Sequence, residues 1–131
     1  MDLHHVGCLT LDMEASLASY QVLMGEAFEA SKVYDITDQK VKVCFVKMTD
    51  GVSLELVQPL EESSSLARLH RKKGVNFYHM GFKVAEIDAA IESLVQKEYR
   101  LINKFSSEAF GMKTCAFLYN PELHLIELIE Q

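Results

Sequence analysis

Four residues of this chain have types and spacings that suit chemistry: His5, Glu55, His79 and Glu127. The histidines lie 74 positions apart, and each is followed two residues later by a glycine, Gly7 and Gly81. The glutamates lie 72 positions apart, and each interrupts an aliphatic run, "SLELV" and "LIELI". A carboxylate set among Leu125, Ile126, Leu128 and Ile129 needs either a solvated face or a compensating charge. Two imidazoles and two carboxylates form a mixed nitrogen and oxygen donor set suited to a divalent cation such as Zn, Ni, Co, Mn or Fe. Taken singly, each is more often a solvent-facing or hydrogen-bonded strand residue. The duplication of all four gives the ligand set its weight.

That duplication extends beyond the four. "HVGCLTLDMEASL" from His5 aligns with "HMGFKVAEIDAAI" from His79, pairing Gly7 with Gly81, Asp12 with Glu86 and Leu17 with Ile91. "CFVKMTDGVSLEL" from Cys44 aligns with "AFLYNPELHLIEL" from Ala116, pairing Phe45 with Phe117 and Leu54 with Ile126. The chain is therefore a doubled module, each copy opening on a histidine and closing on a glutamate.

The elements that must position these residues are legible. "LHHVGCLTL" reads as a strand. Asp12 caps a helix with apolar positions Met13, Leu17, Tyr20 and Leu23 or Met24, stopped by Gly25. "KVKVCFVKM", the turn "TDG" and "VSLELVQ" read as a hairpin. The second copy repeats the order with "FYHMGFKV", a helix from Glu86 to about Lys97, "MKTCAFLY", the turn "NPEL" and "HLIELIE". A further strand is expected in "EASKVYDI" and in "YRLINKF". Each copy is thus βαβββ. The stretch "EESSSLARLHRKKG" between them reads as a connecting helix, capped near Ser63 and stopped by Gly74. Modules are expected at about 3–60 and 75–131, with the linker helix at about 61–74.

Alternation puts His5 on one strand face with Gly7 and Leu9, and His4 and Cys8 on the other. His79 likewise shares a face with Gly81 and not with Tyr78. The glycines leave open space on the histidine faces. A pseudo-twofold axis between the copies would let the four donors converge. His4, His70 and His124 lack counterparts and read as surface or turn residues. "RLHRKKG" reads as a solvated basic helix end, with reach to a substrate phosphate as the sharper alternative. Tyr119 and Phe110 are candidates for a substrate mouth.

Composition bounds the rest. The 131 residues are 49% hydrophobic, enough for one compact domain with a core. A formal net charge of −6 argues against nucleic-acid binding. Cys8, Cys44 and Cys115 are odd in number and sit in apolar runs, so they read as reduced core residues of a cytoplasmic protein. No secretory core follows Met1, and no apolar run approaches the roughly 20 residues that span a bilayer.

The stretches "HHVGCLTLDMEASLASY", "SLELVQPLEESSSLARL", "YHMGFKVAEIDAAIESL" and "HLIELIEQ" resemble the vicinal oxygen chelate superfamily, which groups glyoxalase, bleomycin-resistance and dioxygenase proteins. Within it the likeness is nearest to the methylmalonyl-CoA epimerases and then to glyoxalase I, and it runs from His5 to Gln131. It implies an α+β fold in which two βαβββ modules form a curled mixed sheet, two half-barrels around a central metal site, in a single domain over residues 1–131. It also implies His5, Glu55, His79 and Glu127 as metal ligands, a divalent Co, Ni or Zn ion, and a homodimer.

The same resemblance implies an activity. Four ligands on a six-coordinate cation leave two neighbouring positions for the vicinal oxygens of an acyl-CoA or a thiol hemithioacetal. The cation acidifies the adjacent C–H and stabilises the enolate, while Glu127 and Glu55 move the proton. The expected function is a metal-dependent, methylmalonyl-CoA-epimerase-like isomerase. A glyoxalase I-like lyase and a non-catalytic binding protein of the same fold are the alternatives. Val43 stands where some bacterial epimerases place an additional glutamate, and valine transfers no proton.

Overall fold

A computed structural model describes residues 1–74 and 76–131, with the side chain of Lys73 also outside the described set. The elements run β1 (Asp2–Leu9), α1 (Met13–Met24), β2 (Tyr34–Ile36), β3 (Val41–Thr49), β4 (Val52–Pro59), α2 (Ser65–Lys73), β5 (Asn76–Val84), α3 (Ile87–Val95), β6 (Arg100–Ser107), β7 (Lys113–Asn120) and β8 (His124–Glu130). The strands form one eight-stranded sheet in the order β2-β3-β4-β1-β5-β8-β7-β6. The expected βαβββ order is present twice, and the sheet is the expected curled, mixed half-barrel.

Symmetry is visible in the register. β1 pairs parallel with β4, placing Gly7 beside Glu55, and β5 pairs parallel with β8, placing Gly81 beside Glu127. The halves meet where β1 runs antiparallel to β5, with His5 opposite Gly81 and Gly7 opposite His79.

Alternation along each strand sorts the core into two faces. Cys8, Cys44, Val46, Leu54 and Leu56 pack with Met13 under α1, joined by Leu17, Tyr20 and Met24. Val84, Ala116, Leu118, Ile126 and Leu128 pack with Ile87 and Ile91 of α3. The residues between them along the strands, including Glu55 and Glu127, turn to the concave face. There Leu9, Val41, Val43 and Val57 form a third cluster with Leu66 and Leu69 of α2. At roughly 2 kcal/mol per buried aliphatic side chain, the helix-facing clusters fix which face each glutamate takes. Sliding a strand by one residue would expose its whole apolar set.

The helix starts follow local chemistry. Asp12 accepts a hydrogen bond from the Ala15 amide at 3.0 Å, and Gly25 ends α1 at φ 59°. Met24, rather than Leu23, completes the buried stripe of α1. The connecting helix is shorter than 61–74: it spans Ser65–Lys73, and Ser64 rather than Ser63 caps it, accepting from the Ala67 amide at 3.1 Å. Val75, the expected first residue of the second module, lies outside the described residues.

The strand expected in "EASKVYDI" is reduced to Tyr34–Ile36. Upstream of it the Ser31 hydroxyl takes the Phe45 amide at 2.9 Å, so a side chain replaces part of the ladder. Its counterpart β6 pairs from Arg100 to Ser107. Among the described residues, no helix is long and apolar enough to cross a membrane.

Candidate metal centre

His5 and His79 reach the same point from facing strands because each leans over the other's glycine. A Cβ built on Gly7 would stand 2.0 Å from Cε1 of His79, and one built on Gly81 would stand 2.1 Å from Cε1 of His5. The space that sequence alternation assigns to each glycine is therefore filled by the imidazole of the opposite half. Glu55 and Glu127 enter from the strands flanking this pair.

All four expected residues come together. One donor atom from each of His5, Glu55, His79 and Glu127 lies within 4.8 Å of every other. The two Nε2 atoms are 2.8 Å apart. His5 Nε2 lies 3.1 Å from Glu127 Oε2 and 3.7 Å from Glu55 Oε1, and His79 Nε2 lies 3.2 and 3.3 Å from the same two atoms. Their relative exposures are 0% for His5, 5% for Glu55, 4% for His79 and 2% for Glu127. No lysine or arginine among the described residues pairs with either carboxylate; their ion-pair partners are the two imidazoles.

The titration of the cluster reflects that crowding. Burial opposes charge on His79, but hydrogen bonds to Glu127 and Glu55 outweigh it and raise its pKa to about 9. Burial also disfavours ionised Glu127, yet hydrogen bonds from His5 and His79 bring it down to about 2. Tyr78 is driven well above the usual phenol range by burial and then by the charges of Glu55 and Glu127.

The donor set fits a divalent cation. Two donors each about 2.1 Å from one cation and at right angles to it stand about 3.0 Å apart, close to the separations found here. Two buried carboxylates whose only ion-pair partners among the described residues are imidazoles are also the charge such an ion would balance once the imidazoles are neutral.

An aromatic collar surrounds the donors. Phe45 lies opposite Glu55 and Phe117 opposite Glu127 in the strand ladders. Their rings stand edge-on to His5 and His79, with centroids at 6.0 and 5.4 Å. Phe110 stacks on His5 at 5.7 Å. A cavity of about 410 Å³ opens beside the cluster, with Glu55 and Glu127 in its wall beside Val43, Val57, Phe105, Phe110 and Phe117. Phe110 is among the residues that line this cavity. Tyr119 is not among its lining residues; it lies instead against the Arg100 guanidinium at 5.5 Å.

His4 departs from its expected place on the opposite face. Leu3 pairs with Phe82 and His5 with Gly81, so His4 is the extra residue of a β-bulge. The bulge turns its ring toward His5, with the two Nδ1 atoms 3.0 Å apart. Burial, then the charges of His5 and Lys83, lower the His4 pKa to about 4. The repeat alignment could not flag it, because the counterpart of His4 is Tyr78. Tyr78 is itself the extra residue of a second bulge, between the Gly7–His79 and Cys8–Phe77 pairs. The basic stretch before Gly74 is partly engaged locally: Arg68 and Arg71 donate to the carbonyls of Ser63 and Glu62 at 3.2 and 2.7 Å.

The profile of the glyoxalase/bleomycin resistance protein/dioxygenase superfamily matches residues 4–119. The chain belongs to that superfamily. Relatives within it include the mitochondrial methylmalonyl-CoA epimerase of Homo sapiens, 28% identical over 103 residues, covering 78% of this chain and 57% of that protein. The Bos taurus enzyme is 26% identical over 118 residues, covering 89% of this chain and 66% of its own length. The chain thus spans less than two thirds of either mammalian relative. Among solved structures, methylmalonyl-CoA epimerase from Mycobacterium tuberculosis superposes with a TM-score of 0.84 at 23% identity, covering 98% of this chain and 87% of that one. A Streptomyces coelicolor methylmalonyl-CoA epimerase variant in complex with 2-nitronate-propionyl-CoA gives 0.84 at 23% identity, covering 100% and 97%. At these identities the superpositions speak for the shared superfamily fold.

Proposed function

We propose that this chain is a metal-dependent epimerase of a short-chain acyl-CoA, with methylmalonyl-CoA as the leading substrate. One observation carries the reading: four buried donors of two types converge at the wall of a cavity whose size, about 410 Å³, suits a small ligand. The curated relatives named as methylmalonyl-CoA epimerases support the substrate class.

His5, Glu55, His79 and Glu127 would hold a divalent ion such as Co, Ni or Zn, leaving room for two substrate oxygens. That ion would supply Lewis acidity to the thioester carbonyl and so lower the pKa of the neighbouring C–H. The protein's own residues do the rest. Glu127, kept ionised by the two imidazoles, accepts the α-proton through a carboxylate oxygen. Glu55, its counterpart across the pseudo-twofold axis, would take a proton from solvent and deliver it to the other side of the carbon, and Glu127 would release the abstracted proton to solvent. Val43, Val57, Phe105 and Phe117 give the reacting carbon an apolar enclosure that limits water. Three buried, unpaired cysteines suit a reducing compartment, which we take to be the cytoplasm. The open sheet edges at β2 and β6 favour a homodimer.

The test is solvent exchange. The cobalt-loaded protein should incorporate deuterium from D2O into the α-position of methylmalonyl-CoA, followed by NMR or mass spectrometry. Turnover of a methylglyoxal–glutathione hemithioacetal without such exchange would move the chain to the glyoxalase I class. Neither reaction in a metal-loaded protein would make it a binding protein of this fold.

A further inference from the structure

The two imidazoles at the centre are held differently on their outer side. The β1 bulge brings the His4 Nδ1 to 3.0 Å from the His5 Nδ1, with the rings nearly perpendicular at 89°. Phe45 and Phe110 brace His4 from two further sides, at centroid distances of 6.0 and 5.6 Å. In the other half Tyr78 meets His79 only edge-on, at 4.5 Å, and the His79 Nδ1 has no hydrogen-bond partner among the described residues.

A neutral imidazole carries one proton. For the His5 Nε2 to present a lone pair toward the other three donors, that proton must sit on Nδ1. The His4 Nδ1 is the acceptor placed to receive it, which leaves the His4 proton on Nε2. A partner on the outer nitrogen fixes both tautomer and ring orientation of a metal-ligating histidine.

We infer that His4 is a positioning residue: it accepts the His5 Nδ1–H and thereby locks His5 in the tautomer that presents Nε2 to a bound cation. The inference rests on the metal-centre reading above and adds an asymmetry to it, because His79 has no equivalent lock. Adjacent strand residues ordinarily point apart; the β1 bulge lets this contact form, whereas the equivalent bulge in β5 carries Tyr78, which meets His79 only ring edge to ring.

The experiment is a Co2+ titration of the full-length chain, followed through the visible absorption of bound cobalt, in wild type, His4→Phe and His4→Gln. Phenylalanine keeps the ring volume and removes the acceptor; glutamine restores one through its carbonyl oxygen. His4→Phe is expected to weaken Co2+ binding by about ten- to a hundredfold and to shift the cobalt band, while His4→Gln stays within about threefold of wild type. Equal affinity and spectrum in wild type and His4→Phe would overturn the inference while leaving the metal centre standing. Glutamine losing as much as phenylalanine would also overturn it. A wild-type chain that takes up no Co2+ removes the metal centre itself, and this inference with it. Should His4→Phe not fold, 15N-imidazole NMR of the zinc-loaded wild type decides. The His5 proton is expected on Nδ1, coupled to His4, and its absence from that nitrogen contradicts the assignment.

Discussion

In the N-terminal half, Glu55 lies beside Gly7 and opposite Phe45; in the C-terminal half, Glu127 lies beside Gly81 and opposite Phe117. His5 leans over Gly81 and His79 over Gly7, so each half supplies the space the other half's imidazole occupies. Away from this centre the correspondence lapses. β2 has three residues and β6 has eight. Val43 faces Val57 across β3 and β4, whereas Cys115 faces Ile129 across β7 and β8. His4 hydrogen-bonds His5, its neighbour, whereas Tyr78 makes no such bond to His79. Residues that meet across the pseudo-twofold axis constrain one another sterically, so neither can change alone. Residues that meet only their own half, or the cavity, carry no such mutual constraint, and it is there that the two halves differ.

The largest expected effect tests whether the two glutamates are functional counterparts. Glu127→Gln and Glu55→Gln keep the volume and remove the carboxylate charge. Each is expected to lower the rate of α-deuterium exchange by at least about a hundredfold. If one variant exchanges at the wild-type rate, the paired-base reading fails for that residue.

A second prediction concerns the metal-free protein and the opposite charges gathered at the centre. The folded pKa of His79, about 9, lies above its ordinary value of 6.5, so its contribution to stability is complete below pH 6.5 and is lost as pH rises through 9. Glu127 is depressed from 4.5 to about 2, so its contribution is complete above pH 4.5 and lost as pH falls through 2. Urea unfolding from pH 6.5 to 9 should therefore show a decline on the order of 3 kcal/mol, one pKa unit being about 1.4 kcal/mol. A flat profile over that interval would contradict the ion-paired state of His79.

The glycines probe the reciprocity directly. Gly7→Ala should displace His79, and Gly81→Ala should displace His5, each destabilising the fold by about 1–3 kcal/mol through overpacking. The two values should be similar, since an added Cβ at either position would run into the opposing imidazole to the same extent. Thermal melts that show no change in either variant would mean the imidazoles can give way without cost.

The smallest effect contrasts the two module helices. Asp12 caps α1 through its side chain, whereas Glu86 at the start of α3 makes no such bond. Asp12→Ala is expected to cost about 1 kcal/mol and Glu86→Ala close to nothing, measured by denaturant midpoints.

Much of this arrangement was legible in the sequence because duplication marks it twice. The pairings of His5 with His79, Glu55 with Glu127 and Phe45 with Phe117 follow from aligning the chain with itself. Alternation then predicts that Leu54 and Leu56 turn to one side of the sheet and Glu55 to the other. The bulges at His4 and Tyr78 were not legible. Each depends on the β1–β5 pairing between segments some 74 positions apart, and a bulge overrides the alternation rule by which neighbours diverge. The use of Gly7 and Gly81 was half legible: the missing side chains were plain, but the occupant of each space comes from the other strand. The shortness of β2 was hidden because the upstream stretch still pairs in part: Ala30 bridges Val46 and the Ser31 amide donates to the Phe45 carbonyl, while the Phe45 amide turns to the Ser31 hydroxyl.

The most direct measurement of the central claim is metal content. Purified metal-free chain would be dialysed against Co2+ and its bound cobalt counted by mass spectrometry, beside a His79→Ala/Glu127→Ala double variant shown to be folded by circular dichroism. The account predicts about one cobalt per wild-type chain and almost none in the variant. Equal cobalt in the two proteins, whether one ion or none, would contradict it.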